Sequence, residues 1–155
     1  MSRRVFFSFH YDRDIWRVNQ VRNSRAFTDK SDEAYFFDHS LWEETKKKGD
    51  DALRQLINSG LKGASVTAVL IGAETSTRRW VKYEIDRSHS EGMGLLGVYI
   101  HRLTNREGNT DTKGANPFSQ FPTWGSSVTT YDWEADNGFE NFASWVEKAA
   151  KAAGR

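Results

Sequence analysis

Short, nearly uninterrupted apolar runs alternate with segments of helical period along this chain, and that alternation restricts the folds open to it. Residues 4–9 carry Val5-Phe6-Phe7-Ser8-Phe9, and residues 66–72 carry Val66-Thr67-Ala68-Val69-Leu70-Ile71-Gly72. Further strands are predicted over 35–38, 94–101 and 128–133. Helices are predicted between them. The first is capped by Asp12 and buries Ile15, Val18 and Val21. A polar loop covers about 23–33, and Ser40-Leu41-Trp42-Glu43 reads as a capping box opening a brief helical turn. The remaining helices span 50–59 with Gly60 as terminator, 77–91, and 139–152 with Phe139, Phe142, Val146 and Ala149 on one face. Strands apolar on both faces, separated by helices, belong in a parallel sheet covered on both sides. Right-handed crossovers then favour the flavodoxin-like strand order 2-1-3-4-5. The expected fold is α/β, a three-layer sandwich in one domain over residues 1–155. Residues 102–127 hold both prolines and little periodicity, and so long a connection suggests a lid.

In such a sheet the ligand crevice lies beyond the carboxyl ends of the strands, where strand order reverses. That directs attention to Phe9-His10-Tyr11-Asp12 after the first strand, Ala73-Glu74-Thr75-Ser76 after the third, and Asp38 after the second. Common chemistries are missing from those places. The chain has no GxGxxG, no GxxxxGK[ST] and no GxSxG, and its four His are scattered without metal-ligand spacing. The first strand lacks the acidic pair of a phosphoacceptor domain. The net charge of +1 points to neither nucleic acid nor membrane, and no apolar run is long enough for a membrane span or a signal segment. The chain has no cysteine, which fits a reducing cytosol, so a cytoplasmic location is expected.

Several segments resemble TIR domains. Val5-Phe6-Phe7-Ser8-Phe9-His10-Tyr11 is similar to their first box. Ser76-Thr77-Arg78-Arg79-Trp80-Val81-Lys82-Tyr83-Glu84 resembles their signature of a Ser, a Trp and a Glu four residues beyond it, opening the helix behind the third strand. With Phe37-Asp38-His39-Ser40-Leu41-Trp42-Glu43 and Gly114-Ala115-Asn116-Pro117-Phe118, the likeness extends to the TIR-like proteins of bacterial Thoeris anti-phage systems and covers nearly the whole chain.

The resemblance implies cleavage of the nicotinamide–ribose bond of NAD, with Glu84 catalytic and a cyclic ADP-ribose-type product that activates a separate effector. Phe9, His10, Tyr11, Asp38, Trp80 and Asn116 are the accompanying candidates for substrate binding. NAD would be the substrate, with no separate cofactor or metal, and the chain would self-associate as TIR domains do. Two other outcomes stay open at this stage: a non-catalytic TIR interaction module, and plain NAD hydrolysis. The chemistry is consistent with one carboxylate. Nicotinamide is bound as a cation and leaves neutral, so the general acid of ordinary glycoside hydrolysis is not needed. A negative group beside the oxocarbenium-like ribose is. Placed in a helix starting at Thr77, Glu84 would lie roughly 10 Å from its tip, so the crevice must run along the helix or the helix must begin later. Trp80 and Glu84, at i and i+4, share a face.

Overall fold

A computed structural model describes residues 3–28 and 32–155. Among them the strands are β1 (Arg3–Ser8), β2 (Asp32–Tyr35), β3 (Val66–Ile71), β4 (Gly94–Tyr99) and β5 (Thr130–Asp132). They form one sheet in the order β2-β1-β3-β4-β5, with every pairing parallel. The helices are α1 (Tyr11–Arg22), α2 (Arg25–Thr28), α3 (His39–Lys46), α4 (Asp50–Leu61), α5 (Arg79–Ser90) and α6 (Gly138–Ala152). The flavodoxin-like α/β fold expected from the alternation is the fold observed.

The period of two along each strand decides what every residue meets. Val5 and Phe7 of β1, with Val66, Ala68 and Leu70 of β3, pack with Val18 and Val21 of α1 and Phe142 and Val146 of α6. The alternate residues face the other layer. Phe6 packs with Ile57 and Leu61 of α4, and Val69 and Ile71 pack with Val81 and Ile85 of α5. All six residues of β3 are buried. At about 1.5–3 kcal/mol for each large apolar side chain taken from water, this strand and its neighbours anchor the domain.

Several local expectations are corrected. The cap of α1 is His10, whose Nδ1 accepts from Arg13 N at 3.4 Å, while Asp12 lies in the first turn. On its inner side a buried pair, Asp14 and Arg17, joins Val18 and Val21, and Ile15 is only half-buried. The second strand lies earlier than residues 35–38. After Tyr35 the chain leaves the ladder, so that Phe36 meets Phe7 and Phe9 and Phe37 meets Phe6 and Trp42. Those aromatics serve side-chain packing rather than strand pairing. The expected capping box gives way to Asp38, whose Oδ1 accepts from Ser40 N at 2.7 Å and starts α3 at His39. Gly60 does not end α4. It lies within the helix where a Cβ would come 2.6 Å from the Phe37 ring, and the left-handed glycine is Gly63, with φ of 88°. A short 3₁₀ turn, Thr75–Thr77, precedes α5, so this helix starts two residues later than expected. Part of the predicted 23–33 loop forms α2, and residues 29–31 of it lie outside the described residues.

The 102–127 connection, the expected lid, is held at two places. It contains the 3₁₀ turns Pro117–Gln120 and Gly125–Ser127. Phe118 is fully buried against Val69, Ile71, Val81 and Ile85. On the other side Arg17 donates to the carbonyls of Leu103 and Asn109 at 2.8 and 3.0 Å. No described helix is long and apolar enough to cross a membrane.

Candidate active site

A cavity of about 500 Å³ opens where β1 and β2 end, within the range usual for small-molecule sites. Phe9, His10 and Tyr11 line it from the end of β1, and Phe36 and Phe37 from the end of β2. His39 and Trp42 of α3 and Trp80, Val81 and Glu84 of α5 complete its walls. The aromatic rings hold one another in place. Tyr11 stacks on His39 with centroids 4.8 Å apart, Phe9 meets Phe36 edge-on at 5.2 Å, and Trp42 meets Trp80 edge-on at 6.1 Å. Flat apolar faces of this kind suit heteroaromatic ligands.

Glu84 is only 7% exposed, yet it belongs to the cavity lining. Its carboxyl makes no ion pair among the described residues. Its partner is Ser8, fully buried at the end of β1, whose hydroxyl donates to Glu84 Oε1 at 2.6 Å. One turn further along α5, Ser88 repeats the arrangement. Its hydroxyl lies 2.7 Å from that of Thr67 on β3 and donates to the Glu84 carbonyl at 2.7 Å. Phe6 of β1 pairs with Thr67 of β3, so Ser8 and Thr67 occupy the same sheet face two residues apart in register. α5 returns across that face, which sets Glu84 over the first hydroxyl and Ser88 over the second. Burial pushes the Glu84 carboxyl up from 4.5 to about 8, with the Ser8 hydrogen bond pulling the other way. Arg87, one turn from Glu84, pairs with Glu91 instead.

Charge at the cavity mouth is mixed. Arg79 is engaged, 2.8 Å from Asp50 and over the Trp80 ring at 4.5 Å. Arg78 and Lys46 also line the cavity, and among the described residues neither forms an ion pair. No group of three or more described His, Asp or Glu residues could hold a metal ion.

The sequence candidates therefore separate. Phe9, His10, Tyr11, Trp80 and Glu84 converge on one cavity, and Asp38 and Asn116 do not line it. Asp38 caps α3, and Asn116 Oδ1 accepts from Phe118 N at 2.9 Å, capping a 3₁₀ turn. No residue of 102–127 reaches the cavity. Sequence reasoning missed Ser8, Phe36, Phe37, His39, Trp42 and Arg78. Ser8 did carry a signal, because it is the one hydroxyl in the Val5–Phe9 run and period two turns it to the same face as Phe6.

Comparison with known proteins adds to this geometry. The family described as "Thoeris protein ThsB, TIR-like domain" matches residues 6–105, a span that contains every residue lining the cavity. A relative from Bacillus cereus (strain MSX-D12), named "Putative cyclic ADP-D-ribose synthase ThsB1", is 37% identical over 191 residues, covering 94% of this chain and 100% of the relative. With a 2-1-3-4-5 parallel sheet and a Trp–Glu helix behind its third strand, the chain belongs to the ThsB family of Thoeris proteins and carries its TIR-like domain.

Proposed function

We propose that the protein cleaves the nicotinamide–ribose bond of NAD and closes the remaining ADP-ribose into a cyclic signal. The observation that carries this reading is Glu84, a buried carboxyl without a cationic partner among the described residues, lining an open aromatic cavity. An interaction module has no need of such a group. Desolvating a carboxyl costs stability, and an adapter would be better served by a filled crevice or a surface ion pair. The family membership and the name of the Bacillus relative support the same reaction class.

In this mechanism NAD is substrate and no separate cofactor is required. The aromatic walls stack the nicotinamide and adenine rings. Arg78 and Lys46, free of ion pairs among the described residues, supply positive charge for the diphosphate at the mouth. The bound nicotinamide ring brings a fixed positive charge toward Glu84. An opposite charge within about 4–6 Å favours ionisation by roughly 1–3 units, so substrate binding itself converts the carboxyl to carboxylate. As the C–N bond breaks, nicotinamide departs with the bonding electron pair as a neutral molecule. Positive charge moves to the ribose, and Glu84 stabilises it. An adenine nitrogen or a ribose hydroxyl of the folded substrate then attacks the ribose carbon, and the apolar walls disfavour water as competitor. A hydroxyl nucleophile gives up its proton in this step, and a carboxylate of raised pKa is a competent acceptor. Self-association, a cytoplasmic setting and a separate effector that reads the product belong to the same proposal.

The test is incubation of the purified protein with NAD and mass analysis of the products, with Glu84→Gln in parallel. Release of nicotinamide with a cyclic product of ADP-ribose composition, both lost in Glu84→Gln, is expected. Linear ADP-ribose alone would reduce the reading to hydrolysis. No release at high protein concentration, with infected-cell extract as activator, would leave the interaction module as the better account.

A further inference from the structure

We propose that Ser8 is the positioning residue of this site: its hydroxyl holds Glu84 by Oε1 and leaves Oε2 as the oxygen that meets the substrate. The geometry is specific. Ser8 is fully buried in the parallel ladder, where its register partner on β3 is Val69, so its Cβ cannot wander. The 2.6 Å hydrogen bond joins β1 to α5 across the layer. Nothing else among the described residues hydrogen-bonds the Glu84 carboxyl. The rung behind it, Thr67 to Ser88 at 2.7 Å, fixes the next turn of α5 and limits how far Glu84 can slide. Two hydroxyls of adjacent strands thus set both the height and the rotation of the helix that carries the carboxyl.

This arrangement has a chemical consequence. While Glu84 holds a proton, Ser8 donates to Oε1 and the proton resides on Oε2, the atom that must be bare when the ribosyl cation forms. Once the carboxylate exists, the same hydroxyl stabilises it, because a hydrogen bond to the charged form favours that form. Ser8 therefore does two things through Glu84: it aims one oxygen, and it eases the loss of the proton from that oxygen. Only the kinetic half of this inference rests on the NAD-cleaving reading.

The experiment compares Ser8→Ala and Ser8→Thr with the wild type. For NAD cleavage, Ser8→Ala is expected to lower kcat by about ten- to a hundredfold, the size of effect that follows from loosening a reacting group. KM should change by less than about threefold, and Ser8→Thr should recover most of kcat. Independently of any activity, the carboxyl carbon of Glu84 is followed by NMR titration in the free protein. Its midpoint should rise in Ser8→Ala by about one unit or more and return toward the wild-type value in Ser8→Thr. If Ser8→Ala does not fold, Ser8→Cys, close in volume and a poor donor, takes its place. A residue that merely packs would lower the melting temperature and leave the midpoint in place. An unchanged midpoint with kcat within about threefold of wild type overturns the inference. If the wild type releases no nicotinamide, the NAD reading fails and the carboxyl titration alone decides for or against Ser8.

Discussion

Two carboxyls are buried near the same end of this sheet, on opposite faces, and they are treated differently. Asp14 of α1 is wholly buried and is met at 3.0 Å by Arg17, itself only 2% exposed. Burial raises the Asp14 carboxyl, and Arg17 opposes that rise by charge and hydrogen bond. The guanidinium uses its remaining donors on Leu103 and Asn109, so the pair ties the 102–127 connection to α1. Among the described residues Glu84 has no such cation. It has one hydroxyl and an open cavity. A buried charge with a fitted partner is an architectural element. A buried acid left without one keeps its capacity to respond to a cation that arrives from outside. On the proposed reading Asp14 is structural and Glu84 chemical, and four experiments can break or sharpen that contrast.

The largest effect is expected at Glu84. Glu84→Gln preserves shape and the acceptor for Ser8 but cannot carry the negative charge, so nicotinamide release from NAD should fall by about 10³-fold or more. The same substitution should stabilise the fold in alkaline solution. The folded-state pKa of about 8 lies above the unfolded value of 4.5, so between these values the folded state binds more protons than the unfolded one. Stability therefore falls as pH rises through that window. At about 1.4 kcal/mol per unit, the upper bound is several kcal/mol at pH 9. Glu84→Gln escapes this loss, and its melting temperature should exceed that of the wild type at pH 9 and approach it at pH 4. A variant that is inactive and no more stable at pH 9 would mean that Glu84 is ionised in the resting protein.

Asp14→Ala should show the reverse pattern. It strands Arg17 without its nearest carboxylate and should cost about 3 kcal/mol of stability, the low end for a broken buried pair because Asp111 lies 3.7 Å from Arg17. Chemical denaturation measures the loss. Activity per folded molecule at low temperature should stay within about threefold of wild type, since the pair lies on the sheet face opposite Glu84 and does not line the cavity. A folded Asp14→Ala protein without activity would erase the distinction between the two acids.

The contrast also explains which parts of the site could be read from sequence. Strand order and the end of β1 followed from apolar runs, because burial on both faces leaves a continuous signal, whereas Trp80 and Glu84 stood out only through their resemblance to the TIR signature. Asp14 and Arg17 carried no such signal. A charged i,i+3 pair looks like solvated surface until tertiary packing covers it. Phe36 and Phe37 read as strand because aromatic residues favour both a pleated surface and a packed cavity wall. Ser8 is a partner 76 positions away from Glu84, and only strand register and helix direction together bring the two into contact.

A third experiment tests Glu84 without mutation. In the free protein kcat/KM reports the ionisation of the acting group. If the carboxylate is the active form, kcat/KM for NAD should rise with pH and level off above about 8, a gain of about tenfold between pH 7 and pH 9. The profile of kcat should be flatter and shifted to lower pH, since the bound nicotinamide cation favours the carboxylate. A kcat/KM profile that is level from pH 5 to 9 would place the resting carboxyl in its ionised state and weaken the difference from Asp14.

The smallest effect is expected at Asn116. Its side chain caps the Pro117–Gln120 turn through Phe118 N, and loss of a cap of this kind costs about 0.5–2 kcal/mol. The low end applies here, because Phe118 is held independently by burial among Val69, Ile71 and Ile85. Asn116 lies away from the cavity, as does the rest of the 102–127 connection, which Phe118 and Arg17 anchor on both sides of the sheet. Asn116→Ala should therefore leave the ratio of cyclic to linear product unchanged, with a rate within about twofold of wild type and a melting temperature lower by about 1–2 °C. Product analysis decides the point. A shift toward linear ADP-ribose would mean that this segment closes over the substrate during the reaction, which requires Phe118 to leave its buried position and makes the anchored connection a moving one.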